Sequence, residues 1–352
     1  MLEILTSTAL LLVVLALFTL FSYKAPKGMK AMGALASAAC ASFLVEAFHF
    51  SLFGEQFGIK FLEGVGAANG GLGGVAAGIL VPLALGVSPV YAVLVGLSVS
   101  GFGILPGFFA GYLISFVVRF LEEKTPAGLD LIVIILVAAP LARGIAMFTD
   151  PIVNGTLIQI GQALIAASDV SPVLMGIILG GLITVVSTAP LSSMALTSII
   201  GLTGLPMAIG ALAVFGSSFM NFVFFSKMKF GSKKDTISVA IEALTQSDII
   251  SANPIPVFTT NFIGGAMSGV VVALVSTYIA PLAINTPGMA TPIAGFALAV
   301  GQNNTTAALI AAAGCIVVSV AGAFIGHAIF KNYKIKTADE IRGTQTESNQ
   351  AA

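Results

Sequence analysis

An apolar segment that is interrupted halfway constrains this chain more than any other feature. Residues 180–221 read as a membrane helix as far as Ser187-Thr188-Ala189-Pro190, then become polar and short in side chain, and turn apolar again after Pro206. Free backbone N–H and C=O groups cannot face lipid, so such an interruption must lie against protein or a water-filled cavity. The segment therefore predicts a broken-helix hairpin that holds something polar.

The same pattern recurs in residues 264–306. Val186-Ser187-Thr188 is echoed by Val275-Ser276-Thr277, and each triplet is followed by an Ala-Pro-Leu turn. Two interrupted apolar segments in corresponding places indicate a transporter binding site between structural repeats. The alternative is chance similarity within a chain rich in Ala, Gly and Ser.

The composition is that of a polytopic membrane protein. Of 352 residues 57% are hydrophobic and only 9% are charged, whereas soluble domains carry about 25% charged residues. We expect an all-α fold of about 9 to 11 membrane segments, without nucleic-acid binding. The predicted spans are 4–23, 29–53, 66–86, 88–104, 105–121, 131–149, 151–167, 172–189, 205–225, 255–280 and 305–330.

Four clusters of Lys and Arg predict the orientation, because positive loops stay in the cytoplasm. They lie at residues 24–30, 119–124, 227–234 and 331–342, and an even number of predicted spans separates each consecutive pair. The N-terminus is then outside and the C-terminus inside. On this count both interrupted segments enter from the cytoplasmic side, which makes the repeat parallel.

We expect one membrane-embedded domain over residues 1–335. Its predicted parts are N-terminal scaffold helices (1–64), a first broken-helix block (65–225), a cytoplasmic loop with an amphipathic helix (226–252) and a second broken-helix block (253–335). The polar tail, residues 336–352, is predicted to be disordered.

Uncharged polar side chains line both interruptions and are the candidate solute-binding residues. They are Ser187, Thr188, Ser192 and Ser193 in the first, and Asn285, Thr286, Asn303 and Asn304 in the second. Hydroxyls and amides both donate and accept hydrogen bonds, which suits a hydroxyl-rich or zwitterionic solute. The alternative is that they only cap the broken helices.

Ionisable residues inside spans are costly and are therefore candidate functional groups. Arg143 and Asp150 share one face of a span two helical turns apart; they bind an anionic group of the substrate, or Arg143 is a structural cation. Glu46 and His49 are spaced i, i+3. They either lie at the outer interface or, if buried, couple transport to protons.

The positions of Gly and Pro along the chain resemble those of a known family. The blocks 103–112, 131–143 and 173–181, the Ala189-Pro190 turn, the Asn253-Pro254 entry and the 285–288 turn look like the fructose-type EIIC membrane subunit of the bacterial sugar phosphotransferase system. The chain is most similar to stand-alone EIIC-like proteins of the perfringolysin toxin-regulator type. The resemblance covers about residues 65–330.

The resemblance implies a homodimeric sugar permease in the bacterial inner membrane that works with separate EIIA and EIIB proteins. Three departures bear on phosphoryl coupling. Ser192 and Ser193 occupy the family's Asn-Lys positions, the Pro287-Gly288 turn lacks the family's His, and Ile241-Glu242 is only a loose counterpart of the Ile-Thr-Glu motif. Glu242 is nevertheless a candidate coupling group.

The function predicted from the sequence is transport of a small polar solute, such as a sugar, by alternating access between the two hairpins. The alternative is a membrane sensor or regulator that binds a ligand without moving it. No HExxH motif, acid pair or nucleophile–base arrangement occurs in the chain. We therefore predict no catalytic residue, metal or cofactor on the chain itself.

Overall fold

The computed structural model describes residues 2–126, 128–168, 171–189, 202–279, 284, 292–301 and 305–343. Across these residues the chain is all-α, as predicted. The helices are α1 (Leu2–Lys24), α2 (Gly28–Ala39), α3 (Lys60–Gly70), α4 (Gly73–Leu85), α5 (Pro89–Ser98), α6 (Ile104–Lys124), α7 (Asp130–Ser168), α8 (Pro172–Thr188), α9 (Gly204–Met228), α10 (Lys233–Ile241), α11 (Ser247–Ala252), α12 (Pro254–Leu274), α13 (Pro292–Gly301) and α14 (Thr305–Phe330).

Wider and tighter helical turns extend several of these helices. α2 continues through π-helical turns at Cys40–Leu44 and Glu46–Gln56, and α12 through one at Val275–Ile279. A 3₁₀ turn at Ala243–Gln246 joins α10 to α11. In the part of the chain described, six helices are long and apolar enough to cross a membrane, or seven if the bent pair α3–α4 is one span.

The chain folds into two compact units, one of residues 22–156 and one of residues 1–21 with 157–352. We call the second the hairpin unit, because it contains both interrupted segments. In the 22–156 unit, buried Val95, Ile114 and Ala138 join α5, α6 and α7 in one apolar core. Gly74 lets α4 approach the Phe102 carbonyl so closely that a Cβ there would overlap it.

One pair of predicted spans is wrong. The segments 131–149 and 151–167 are parts of the single helix α7, which continues through Pro140 and Pro151. A proline inside a membrane helix is tolerated when other groups satisfy the carbonyl that loses its N–H partner. The sequence alone made Pro151 look like a boundary.

In the hairpin unit, glycines occupy the contact positions where α8 crosses α12. Gly176 lies against Gly269, and Gly180 lies against Gly265. Residue numbers therefore increase along α8 in the direction in which they decrease along α12. The two helices are therefore antiparallel, with backbones in direct contact as small residues permit.

The other contacts give the direction of the remaining long helices. Gly264 lies against Gly322, and Thr260 against Gly326, which makes α12 and α14 antiparallel. Gly216 meets Ser319 and Met220 meets Gly322, so α9 and α14 are parallel.

The expected parallel repeat is therefore wrong, since the helices that precede the two interruptions run in opposite directions. Merging two predicted spans into α7 reverses α8 relative to the sequence-based count.

The contacts at the crossing also follow the sequence repeat. The offset that takes Val186 to Val275 takes Gly176 to Gly265 and Gly180 to Gly269. The offset therefore converts the Gly176–Gly269 contact into the Gly265–Gly180 contact, which is the arrangement that a two-fold axis between α8 and α12 produces. The repeat is inverted.

The first half of the predicted disordered tail is ordered. Residues 338–343 form a helical turn, and the Ala338 amide donates to the Phe230 carbonyl at 2.7 Å. The tail beyond Gly343 lies outside the described residues.

The crossing predicts a steric effect at Gly269. A Cβ there would overlap the Gly176 carbonyl oxygen, whereas nothing lies within 4 Å of a Cβ at Gly144 on α7. Gly269→Ala should therefore destabilise the protein by about 1–3 kcal/mol through overpacking. Thermal unfolding in detergent measures this, with Gly144→Ala as control; equal unfolding temperatures for the two variants would contradict the crossing.

Candidate functional site

The first interruption begins with two buried hydroxyls at the end of α8. Ser187 and Thr188 are almost fully buried, and both donate to the Thr184 carbonyl, at 2.8 Å and 2.9 Å. Such bonds from Ser and Thr to a carbonyl of the preceding turn satisfy the hydroxyl hydrogen within the helix. Each hydroxyl oxygen can still accept a hydrogen bond from a solute. Ser192 and Ser193 lie outside the described residues.

The second interruption begins at Ser276, the repeat counterpart of Ser187. Its hydroxyl accepts a hydrogen bond from the backbone N–H of Ile284 at 3.3 Å, so residue 284 lies beside the π-helical end of α12. Asn285, Thr286, Asn303 and Asn304 are outside the described part of the chain.

The structure does not bring the two described hydroxyl ends together. Ser187 and Ser276 each lie about nine residues beyond the crossing of α8 and α12, in opposite directions. At 1.5 Å per residue, each is about 13 Å from the crossing. The polar ends of the two repeats therefore lie toward opposite ends of the helix pair.

Between these ends the interior of the hairpin unit is polar, a feature that the sequence analysis missed. The Asn261 amide donates to the Asn221 side chain at 3.0 Å, and Ser268 and Ser319 hydroxyls are 2.7 Å apart. All four side chains are buried. Interhelical bonds of this kind hold membrane helices together. The sequence signal was a few Asn and Ser residues within otherwise apolar helices.

Two buried polar atoms of this interior lack a hydrogen bond to any described residue. The Asn261 Oδ1 and Thr260 Oγ1 atoms are buried and have no hydrogen-bond partner within the described part of the chain. A buried polar atom without a partner costs about 1–3 kcal/mol.

Glu242 lies in the loop between α9 and α12. It ends α10 and precedes the 3₁₀ turn, which packs against α8. The side chain is 8% exposed, and its Oε1 accepts from the Leu244 amide at 3.3 Å. Burial raises the pKa of Glu242 from 4.5 to about 7. This carboxyl can therefore hold or release a proton near neutral pH.

Arg143 and Asp150 belong to the 22–156 unit and make separate contacts. Arg143 donates to the carbonyls of Ser98 and Ser100 at 3.1 Å and 3.2 Å, and its guanidinium lies 5.1 Å from the centre of the Phe102 ring. A cation on the last carbonyls of α5 complements the helix dipole. Asp150 accepts from Asn154 one turn later. These contacts favour the structural interpretation of Arg143.

Glu46 and His49 lie on the π-helical continuation of α2. The Glu46 carboxylate fits against Gly70, where a Cβ would overlap it, at the 53° bend between α3 and α4. Glu46 has no ion-pair partner among the described residues. The His49 Nδ1 atom is 3.2 Å from the Val45 carbonyl oxygen. The two side chains thus make separate contacts, although they are one turn apart.

Comparison with known proteins identifies the family. No curated protein and no solved structure gives a significant match. The sequence model of the family described as "Phosphotransferase system, EIIC" matches residues 29–342, which include both units and the docked part of the tail. EIIC subunits are the sugar-transporting membrane permeases of that system, and they work with EIIA and EIIB partners. The chain belongs to the phosphotransferase system EIIC family.

Proposed function

We propose that this EIIC-family protein moves a sugar or related small polar solute by alternating access through the hairpin unit. The observation that supports this most is the inverted crossing of α8 and α12, which puts a buried hydroxyl end on each side of one helix pair. Inverted repeats of this kind underlie alternating access, because the two repeats can exchange conformations. Each end would then serve one side of the membrane.

The proposed lining is uncharged. It comprises Ser187, Thr188, Ser192, Ser193, Asn285, Thr286, Asn303 and Asn304. Hydroxyls and amides match the alternating donors and acceptors of a sugar. Arg143 and Asp150 are assigned no part in solute binding, because their described contacts are to backbone carbonyls and to Asn154.

Glu242 is proposed to act as the carboxyl of the first repeat's site. A buried carboxyl near neutral pKa accepts a hydrogen bond from a solute hydroxyl when ionised and donates one when protonated. Its loop packs on α8, whose end carries Ser187 and Thr188. Glu46 is proposed as a second protonatable group, since a carboxyl within a membrane span is costly to ionise without a partner.

The proposal also covers the membrane, the oligomeric state and the orientation of the protein. We place the chain in the bacterial inner membrane as a homodimer, with the N-terminus outside and the C-terminus in the cytoplasm. The exposed lysines 227, 229, 233 and 234, and 331, 334 and 336, support the cytoplasmic assignment of the loop and the tail. We also propose that the chain is of the fructose type and belongs to the toxin-regulator subgroup of the family.

A sensor that binds a sugar without moving it is the second candidate. One observation favours it: the tail docks on the loop that packs against α8, so a change at the first interruption has a physical connection to the C-terminus.

Uptake into proteoliposomes tests the proposal. The probes are radiolabelled hexoses, supplied with and without a proton gradient. Thr188→Val removes a hydroxyl at the proposed site and should reduce uptake about threefold to tenfold, the equivalent of one hydrogen bond of about 0.5–1.5 kcal/mol. Thr156→Val is the matched control, because Thr156 also donates to a carbonyl one turn earlier but is only half-buried and lies on α7, away from the proposed lining.

Three outcomes can be distinguished. A selective loss in Thr188→Val supports the transport site. Hexose binding without uptake in the wild type would favour the sensor. Equal uptake by the two variants would remove α8 from the solute path.

The stability of the protein should depend on pH through Glu242. Its pKa is higher in the folded protein, so as pH rises from about 4.5 to about 7 the unfolded chain releases a proton that the folded chain retains. Stability therefore falls across this window, by at most about 3 kcal/mol. Glu242→Gln should flatten the profile measured by thermal unfolding in detergent. Asp339→Asn, at an exposed acid of the tail, should leave it unchanged; parallel profiles for wild type and Glu242→Gln would contradict the burial of this carboxyl.

A further inference from the structure

The C-terminal segment is fastened to the loop between α9 and α12. Asn253 exchanges two hydrogen bonds with the backbone of Lys336, both at 2.8 Å. Ala338 bonds to the Phe230 carbonyl, and Thr337 and Glu340 cap the turn that follows by bonding to each other's backbone amides. The contacts of Asn253 and Phe230 join residues more than 80 positions apart and bring Arg342 over the loop.

Arg342 holds three side chains of that loop at once. Its Nη1 donates to Asp235 at 2.6 Å, its Nε to Asp248 at 3.0 Å and its Nη2 to Gln246 at 2.9 Å. Only the planar fork of a guanidinium presents donors in this arrangement. Although burial opposes ionisation of Asp235, the bonds from Ser232 and Arg342 hold its pKa below the usual value. The pair is therefore ionised at neutral pH, with charge-assisted bonds.

The three partners of Arg342 lie on both sides of Glu242 in the chain. Asp235 is in the first turn of α10, which ends immediately before Glu242. Gln246 closes the 3₁₀ turn after it, and Asp248 begins α11. One guanidinium thus ties the element before Glu242 to the elements after it.

We propose that Arg342 is a positioning residue that keeps residues 242–246, which we call the Glu242 turn, packed against α8. The proposal rests on the role proposed above for Glu242. The Arg342 clamp, formed by Arg342 with Asp235, Gln246 and Asp248, excludes water from the carboxyl, and its release opens the turn.

The direction in which the pKa of Glu242 changes when Arg342 is removed distinguishes a positioning role from a purely electrostatic one. The charged side chains on the described elements around Glu242 are the exposed Lys233 and Lys234 with Asp235 on α10, Asp248 on α11, and Asp339, Glu340 and Arg342 in the tail turn, whereas α8 has no ionisable side chain. If Arg342 acted only through its charge, its removal would leave two carboxylates and raise the pKa of Glu242. If it keeps the turn closed, its removal admits water and lowers that pKa.

Infrared titration of the purified full-length protein makes this measurement without any solute. The protonated-carboxyl C=O band that disappears in Glu242→Gln should titrate with a midpoint of about 7 in the wild type. Arg342→Gln should lower the midpoint by about one pH unit or more. Lys334→Gln is the control, because it removes an exposed cation from the same segment and should leave the midpoint unchanged.

Hydrogen–deuterium exchange supplies a second measurement in the same samples. Amides of residues 235–248 should exchange faster in Arg342→Gln than in Lys334→Gln, and Arg342→Lys should be intermediate. A midpoint in Arg342→Gln that is unchanged or higher, or unchanged exchange, would overturn the positioning role. Since neither measurement involves uptake, a failure of the clamp is distinguishable from a failure of the transport proposal.

Discussion

The close contact between α8 and α12 is the interaction on which the rest of the hairpin unit depends. Four glycines, Gly176, Gly180, Gly265 and Gly269, let the two backbones touch. In a bilayer the hydrophobic effect does not draw helices together, so such packing must supply much of the association energy. The same contact sets the relative direction of the two repeats.

That direction determines what the polar interruptions can do. Because the helices are antiparallel, their hydroxyl ends, at Ser187 and Ser276, point toward opposite ends of the pair. Between them lies an interior of paired Asn and Ser side chains. On one side the Glu242 turn packs against α8, and Arg342 fastens that turn from the end of the chain. The first hydroxyl end, a titratable carboxyl and the tail thus belong to one unit.

The sequence was informative where the chemistry is local. Low charge predicts a membrane protein, and Pro and hydroxyl residues within apolar runs predict the two interruptions. It was misleading where topology depends on counting, because Pro151 resembles a boundary although α7 continues through it. Counting one span too many reversed α8 and made the repeat look parallel.

Other features depend on residues that are far apart in sequence. The Asn221–Asn261 pair and the Arg342 clamp join positions that no local pattern relates. The glycines of the crossing carried the information, because their spacing follows the sequence offset between the repeats, but a spacing does not reveal which residue contacts which.

Sidedness labelling tests the inverted repeat most directly. Single cysteines replace Ser171, before α8, Ile255, at the start of α12, or Tyr278, near its π-helical end, in a protein whose Cys40 and Cys315 are changed to alanine; all three positions are exposed. With a membrane-impermeant maleimide and vesicles of both orientations, positions 171 and 278 should label from one side and position 255 from the other. Labelling of 171 and 255 from the same side, with 278 opposite, would contradict the antiparallel crossing and with it the account of transport.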